Sequence, residues 1–187
     1  MVLRLDRRTI AEGGLKLLAE GGLDNLSTRK LASHFGIKSA SLYHHFRNKQ
    51  ELLDHVADVM IRPALVPPRP EQSWQEWLVV LALQLRRRVL SYPDGALLYA
   101  GASPPQENYD ERLALLFGPL LQAGLPHQLA RGAILSVLRF TIGWSIDEQV
   151  AHSRGADRNP ETSEGDFEFG VRTFILGTER LAERARG

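Results

Sequence analysis

Residues 27–54 read STRKLASHFGIKSASLYHHFRNKQELLD. Ser27 precedes a short run whose apolar residues Leu31, Ala32 and Phe35 share one helical face, so the spacing predicts a capped helix over 28–35. Gly36 stops it, at a point where a left-handed backbone is tolerated best without a β-carbon. After Ile37 and Lys38, a third helix is predicted from Ala40 to His45, with Ser39 as its cap. Asn48-Lys49-Gln50-Glu51 has the form of a capping box and opens a helix predicted over 49–61, with Leu52, Leu53, Val56, Val59 and Met60 apolar. Two short helices joined by a tight glycine turn make a helix-turn-helix. Leu31, Ala32, Ile37 and Leu42 would lock the pair, while Ser39, Ala40, Ser41, Tyr43 and His44 face outward as small or polar groups able to approach base edges and phosphates.

Working outward, Asp6 caps a first helix whose Ile10, Leu15, Leu17 and Leu18 recur at helical spacing, and Gly21-Gly22 is expected to end it. Gly13-Gly14 inside that helix costs about 1 kcal/mol per glycine against alanine, so either packing is close there or the helix is locally weak. Downstream, RPALVPPRPEQS (62–73) holds four prolines and cannot continue a helix. Body helices are predicted over 74–91, 107–123, 127–153 and 167–186, with a short piece over 96–100. The polar stretch RGADRNPETSEGD (154–166) reads as a mobile loop. No strand-like alternation occurs, so the fold class is all-α. The domains are placed at 1–48 (helix-turn-helix), 49–66 (connecting helix and linker) and 67–187 (larger helical body).

Composition narrows the chemistry. The 187 residues include no cysteine, which removes disulfides, thiolate catalysis and cysteine-held metals. No apolar run reaches eighteen residues and the N-terminus has no secretory pattern, so a cytoplasmic protein is expected. Residues 1–62 carry 10 Lys/Arg against 7 Asp/Glu, and the remainder 13 against 15. A basic head on a slightly acidic body fits a polyanion at one end.

The adjacent histidines His44 and His45 admit three readings. As metal ligands they are poorly set, because neighbouring helical residues point about 100° apart and no third ligand is spaced nearby. As catalytic groups they lack an orienting carboxylate in register. An arbitrary His-His pair is most often solvated surface, and contact with phosphate stands beside that reading. His34 and His55 read as ordinary surface groups.

The elements T-R-x-L-A, the glycine turn, L-Y-x-H and N-K-x-x-L-L together resemble the DNA-binding domain of the tetracycline-repressor (TetR) family, and the match runs from the first helix to about Met60. The resemblance implies that Thr28 meets phosphate and that Arg29 reaches a base edge. It places Ser39, Ala40 and Ser41 at the opening of a recognition helix in the major groove, with Tyr43, His44 and His45 on its remaining turn. Lys49, at the positive end of the following helix, suits a backbone phosphate on electrostatic grounds alone.

SWQEWL, the YPDGA turn, ENYD and RFTIGWSIDEQ are also similar to the ligand-binding body of the family's tetracycline-responsive members. There the drug is held with magnesium by an asparagine, histidines, a threonine, a glutamine and an acidic residue. The corresponding positions here are Leu65, Leu81, Leu85, Tyr99, Ala102 and Leu115, and only Asp147 keeps an acid. Tyrosine and leucines in those places leave no octahedral oxygen and nitrogen set, so no metal and no cofactor is expected. The expected effector is a mostly apolar small molecule with one or two hydrogen-bonding groups, lined by Leu81, Leu85, Tyr99, Leu115, Leu116, Phe140, Trp144 and Asp147. The alternative is that larger side chains fill the space.

A helix-turn-helix this small reads few base pairs, which favours a two-fold dimer on a palindromic operator. Leu135, Leu138, Ile142 and Trp144, with Phe169, Phe174, Ile175 and Leu181, are the interface candidates; they serve equally as monomer core. The leading expectation is a homodimeric, ligand-responsive repressor with double-stranded DNA and a small molecule as partners. The alternatives are a helical adaptor or ligand-binding protein without DNA binding, and a small helical enzyme, for which the body supplies only His127 and His152.

Overall fold

The computed structural model of the chain describes residues 5–107, 109–156 and 159–186. Among them, the chain folds into α1 (Arg7–Asn25), α2 (Thr28–His34), α3 (Ser39–Leu42), α4 (Lys49–Ile61), a 3-10 turn (Arg62–Ala64), α5 (Trp74–Leu90), α6 (Gly95–Ala100), α7 (Tyr109–Gln122), α8 (His127–Ser153) and α9 (Pro160–Arg186). The described residues contain no strand, as the all-α expectation required. They fall into two compact units, one of residues 1–63 and 88–107 and the other of 64–87 and 108–187.

In the first unit, Asp6 caps α1 by accepting from Thr9 N–H at 2.7 Å. The expected stop at Gly21-Gly22 is instead a break. Gly22 sits at φ 63° and helical turns resume as far as Asn25. The Gly13-Gly14 question resolves as close packing. A β-carbon on Gly13 would lie 2.4 Å from the Phe35 ring, and one on Gly14 would lie 2.7 Å from Val56. α1 thus lies against α2 and α4 at a distance only glycine allows.

Ser27 Oγ accepts from Lys30 N–H at 3.2 Å, capping α2 as expected. Its far end closes through Ile37 N–H to Ala32 C=O (3.0 Å) and Gly36 N–H to Ser33 C=O (3.1 Å). This pair of bonds is a Schellman closure, and it needs the left-handed residue that Gly36 supplies at φ 66°. Phe35 is the C-terminal flank of α2 rather than its last residue.

The third helix departs from expectation. Its N-terminal flank is Lys38, without a side-chain cap, and regular helix covers only Ser39–Leu42. Beyond it the chain keeps turning through tight bonds: Tyr43 N–H to Ala40 C=O, His44 N–H to Ser41 C=O and His45 N–H to Leu42 C=O, at 3.2, 3.3 and 3.0 Å. Leu42 and Phe46, each 2% exposed, pin the two ends of this stretch into the unit's core.

α4 begins where the capping box put it. Asn48 Oδ1 accepts from Glu51 N–H at 2.8 Å. The return bond reaches one residue further back than the standard box, with Arg47 N–H donating to Glu51 Oε2 at 2.5 Å. That bond, helped by the guanidinium groups of Arg47 and Arg7, holds the Glu51 carboxyl below its ordinary pKa against the opposing effect of burial.

The second unit is built on one apolar core, with Trp77, Leu78, Leu81, Leu120, Ile134, Val137, Phe167 and Val171 buried together. Trp77 Nε1 donates to Val66 C=O at 2.9 Å, fastening the proline-rich stretch to α5. By length and composition α8 is apolar enough to cross a membrane. Yet Ala130, Ala133, Ile134, Val137, Thr141 and Ile142 form its buried face against α7 and α9, while Arg131 and Arg139 are exposed. It is the core helix of this unit. Its buried hydroxyls are satisfied within the helix, Thr141 donating to Val137 C=O and Ser145 to Thr141 C=O, both at 2.8 Å.

α9 starts seven residues earlier than expected, so much of the predicted 154–166 loop is helix; Asp157 and Arg158 of that loop lie outside the described residues, as does Asn108 of the predicted 107–123 helix. The start carries its own signal. Asn159 Oδ1 accepts from Glu161 N–H at 3.0 Å, and Pro160 occupies the first helical position, where a missing N–H costs nothing. The polarity of the stretch concealed Ser163, which is buried and bonded to the Glu148 carboxylate.

Candidate nucleic-acid interface

The residues expected to meet DNA all lie in the first unit, on or next to α2, α3 and the start of α4. Arg29, Ala40, Tyr43, His44 and Lys49 are exposed, and Thr28, Ser39, Ser41 and His45 are half-buried. Tyr43, at 53%, is among the most exposed large side chains of the chain. The three-residue stretch Tyr43–His45 lies outside regular α3, so these side chains are presented from tight turns rather than from a long helix.

Sequence reasoning passed over two exposed cations of the same region. Lys38 stands at the N-terminal flank of α3. Arg47, 85% exposed, makes an ion pair of 3.2 Å with Glu51 at the head of α4. Their place in the chain, flanking the exposed turn, was the available signal. With Arg29, Lys30 and Lys49 they give this end of the unit five exposed cations, the electrostatic character that phosphate contact needs.

The expected ligand-lining residues divide. Leu81 and Leu116 are buried within the second unit's core, and Leu115, Phe140 and Trp144 pack against it. Leu85 is fully buried. Phe140 is the hub of an aromatic cluster, its ring 5.5 Å from Trp144, 5.6 Å from Phe167 and 5.4 Å from Phe174. A β-carbon on Gly170 would lie 2.3 Å from that ring. Tyr99 belongs to the first unit, where burial pushes its phenol above the ordinary tyrosine pKa. Asp147 is exposed.

The acid that turns inward is the next residue, Glu148. It takes two bonds from Arg86, at 2.9 and 2.6 Å, and a third from Ser163. Burial acts to raise its pKa, but the bonds and charge of Arg86 and the Ser163 hydroxyl outweigh it, and the carboxyl titrates below its ordinary value. Arg86 also lies 5.3 Å over the Phe167 ring. Among the described residues no group of three His, Asp or Glu side chains is placed to hold a metal.

Of the interface candidates, Ile142 and Ile175 are core residues of the second unit, 8% and 5% exposed. Phe169, Phe174 and Leu181 on α9 are exposed at 74%, 40% and 55%, and Leu176, which the sequence reading omitted, at 61%. Leu135, Leu138 and Trp144 are half-buried.

Known proteins place this arrangement. Residues 10–56 match the family described as bacterial regulatory proteins, tetR family, and residues 66–169 match the tetracyclin repressor-like C-terminal domain. A class A tetracycline repressor protein of Escherichia coli is 36% identical over 160 residues, covering 83% of this chain and 72% of its own. A TetR variant from Acinetobacter baumannii AYE, solved in complex with minocycline, superposes with a TM-score of 0.82 at 32% identity, over 96% of this chain and 99% of that one. BioQ with its double-stranded DNA operator superposes with a TM-score of 0.76 at 26% identity, over 94% and 98%. The helix-turn-helix of the first unit and the helical body of the second are both accounted for, and the chain belongs to the tetR family of bacterial regulatory proteins, as a ligand-responsive DNA-binding transcriptional repressor.

Proposed function

We propose that the chain works as a homodimer on a palindromic operator and is released from it by a mostly apolar small molecule. The observation that carries the DNA half is Tyr43. It stands 53% exposed between the buried Leu42 and a turn bearing His44 and His45, on a surface with exposed Arg29 and Lys49. Thr28, Ser39, Ala40, Ser41 and His45 complete the proposed contact set. In functional terms, residues 1–48 read DNA, 49–66 connect, and 67–187 bind effector and dimerise. Two copies would address half-sites about 34–36 Å apart, and a ligand that favours a different spacing of the heads lowers operator affinity.

For dimerisation, the support is the exposed apolar set Phe169, Phe174, Leu176 and Leu181 on α9. An apolar surface of this kind on a regulator with a two-fold target is best covered by a second copy.

For the effector, the support is chemical. Leu81, Leu85, Leu115, Leu116, Phe140 and Trp144, all of the second unit, bring apolar and aromatic surface. The minocycline complex is a property of the Acinetobacter protein. Here leucines and a tyrosine stand at the positions that the family resemblance assigns to the drug and its magnesium. They do not fit a hard cation, which takes oxygen ligands in near-octahedral array. We therefore read the effector as free of metal. A cytoplasmic location and the absence of an enzymatic activity follow from the same regulatory reading.

The deciding experiment is a gel-shift titration on the palindromic segments flanking the chain's own gene, at several salt concentrations. Sequence-dependent binding that weakens with salt is expected. Binding indifferent to sequence would leave the adaptor reading in its place.

A further inference from the structure

Within the first unit, the His55 ring lies between two hydrogen-bond acceptors. Its Nδ1 lies 2.8 Å from the carbonyl oxygen of Glu51, one turn back on α4. A carbonyl only accepts, so Nδ1 carries a proton. Its Nε2 lies 3.1 Å from Oε2 of Glu107. The other oxygen of that carboxylate accepts from the guanidinium of Arg7, so the carboxylate acts as an acceptor on both sides. A proton on Nε2 as well makes that contact a hydrogen bond, so the imidazolium forms one bond more here than the Nδ1–H tautomer. The side chain is 11% exposed and its ring meets Phe46 edge-on at 5.2 Å.

The groups around the ring come from three directions. From α1 comes Arg7, which also lies 3.8 Å from the Glu51 carboxylate. From the segment after α6 comes Glu107. On α4 and the turn before it, the remaining charged groups have partners of their own: Glu51 pairs with Arg47, Asp54 accepts from Gln50 and Asp58 pairs with Arg62.

The same segment after α6 is stitched to α4 at two further points. Gln50 Nε2 donates to Gly101 C=O at 3.0 Å, and Ser103 N–H donates to Asp54 Oδ1 at 2.9 Å. Neither stitch changes with pH in the neutral range. The third does, because histidine is the side chain whose charge changes between about pH 5 and 8. On losing a proton, His55 keeps Nδ1–H on the Glu51 carbonyl and turns a bare Nε2 lone pair toward the Glu107 carboxylate. The helix end of the clasp stays in place and the segment end is released.

We propose that His55 and Glu107 form a proton-operated clasp that fastens residues 101–107 to α4 in acid and lets their far end go as the pH rises toward 8. The clasp does not depend on the repressor reading. Hydrogen exchange of residues 101–107 in the full-length protein tests it, corrected for intrinsic pH dependence and compared between pH 6 and 8 for wild type, His55→Gln and Glu107→Gln. Wild type is expected to lose at least threefold protection in this segment on going to pH 8, with α2 unchanged as an internal reference. Both variants are expected to show a flat corrected profile, close to wild type at pH 8. Glu107→Gln alters an exposed side chain and keeps the test available should His55→Gln fold poorly. Nitrogen-15 spectra of the His55 ring at pH 6 give a second reading, with both ring nitrogens protonated. An equal pH response in wild type and Glu107→Gln, or a neutral His55 ring at pH 6, overturns the proposal.

Discussion

The Asp94 carboxylate accepts a hydrogen bond from the backbone N–H of Leu23 at 3.0 Å, joining residues 71 apart in sequence. Both ends of this contact are in left-handed backbone: Asp94 at φ 56° and Gly22, just before the donor, at φ 63°. A β-carbon on Gly22 would lie 2.2 Å from Asp94 Oδ2. The break in α1 and the turn before α6 are therefore one device. Gly22→Ala meets both a strained backbone and a blocked carboxylate, and Asp94→Ala leaves the Leu23 N–H without its partner. Each is expected to lower stability by about 1–3 kcal/mol, read as a shift of the urea midpoint. Two unchanged midpoints would show the contact to be incidental.

Gly13 and Gly14 reverse an ordinary rule. Glycine to alanine inside a helix usually gains about 1 kcal/mol. Here the added methyl meets Phe35 at 2.4 Å or Val56 at 2.7 Å. Gly14→Ala is expected to destabilise by about 1–3 kcal/mol through overpacking, because Val56 is fully buried. Gly13→Ala should cost less, since Phe35 is only half-buried and its ring has room to move. Thermal denaturation of the two variants side by side gives the order.

The pair Arg86–Glu148 links stability to acid. Glu148 titrates in the folded chain below its ordinary 4.5. Its contribution is thus whole above that value and is lost as the pH falls through 4.5 toward the folded value. Wild type is expected to lose stability below about pH 4.5 more steeply than Glu148→Gln, in urea titrations at stepped pH. Glu148→Ala at neutral pH removes two hydrogen bonds from Arg86, 7% exposed, and leaves it only the Glu164 carboxylate at 3.5 Å, at a cost of about 1–3 kcal/mol.

On DNA, Tyr43→Ala and Lys49→Ala are each expected to weaken operator binding, by about 1–3 kcal/mol in total. They should differ in kind. Lys49→Ala lowers the dependence on salt by about one phosphate contact, whereas a base-reading role for Tyr43 changes the ranking of operator variants. Fluorescence anisotropy over a salt series separates the two, and an unchanged affinity for either removes that residue from the interface.

The α9 surface is tested by sedimentation. Phe169→Asp combined with Leu176→Asp places two charges on residues that are 74% and 61% exposed, so folding is expected to survive while the dimer dissociates. A dimer that persists unchanged puts the interface elsewhere.

Local chemistry was legible where one residue decides one bond. Asp6, Ser27 and Asn48 announced their helices because an oxygen before an apolar run has few other uses. Ser39 failed because a candidate cap is not a cap without geometry; Lys38 is the flank instead, its carbonyl oxygen accepting from Ser41 N–H at 2.9 Å. Asn159-Pro160-Glu161 was a legible start overlooked because the residues after it are polar; between 161 and 167 the helix buries only Ser163 and Phe167 and shows the rest to water. The DNA-contact candidates rest on spacing and family pattern together. The ligand candidates rest on less, since buried leucines have the same appearance whether they line a site or fill a core. Asp147 and Glu148 are adjacent acids, and only the position of Arg86 decides which one turns inward.

The brevity of α3 has a consequence for how such a reader changes over time. Four residues of helix and three tight turns are anchored by Leu42 and Phe46. Residues 39, 40, 41, 43 and 44 are exposed or half-buried between and before those anchors, so on the proposed contact set operator preference is rewritten by substitution there while the anchors stay put. Divergence of target and persistence of fold are thereby uncoupled, and duplicated copies of such a gene can acquire new operators without passing through an unstable intermediate.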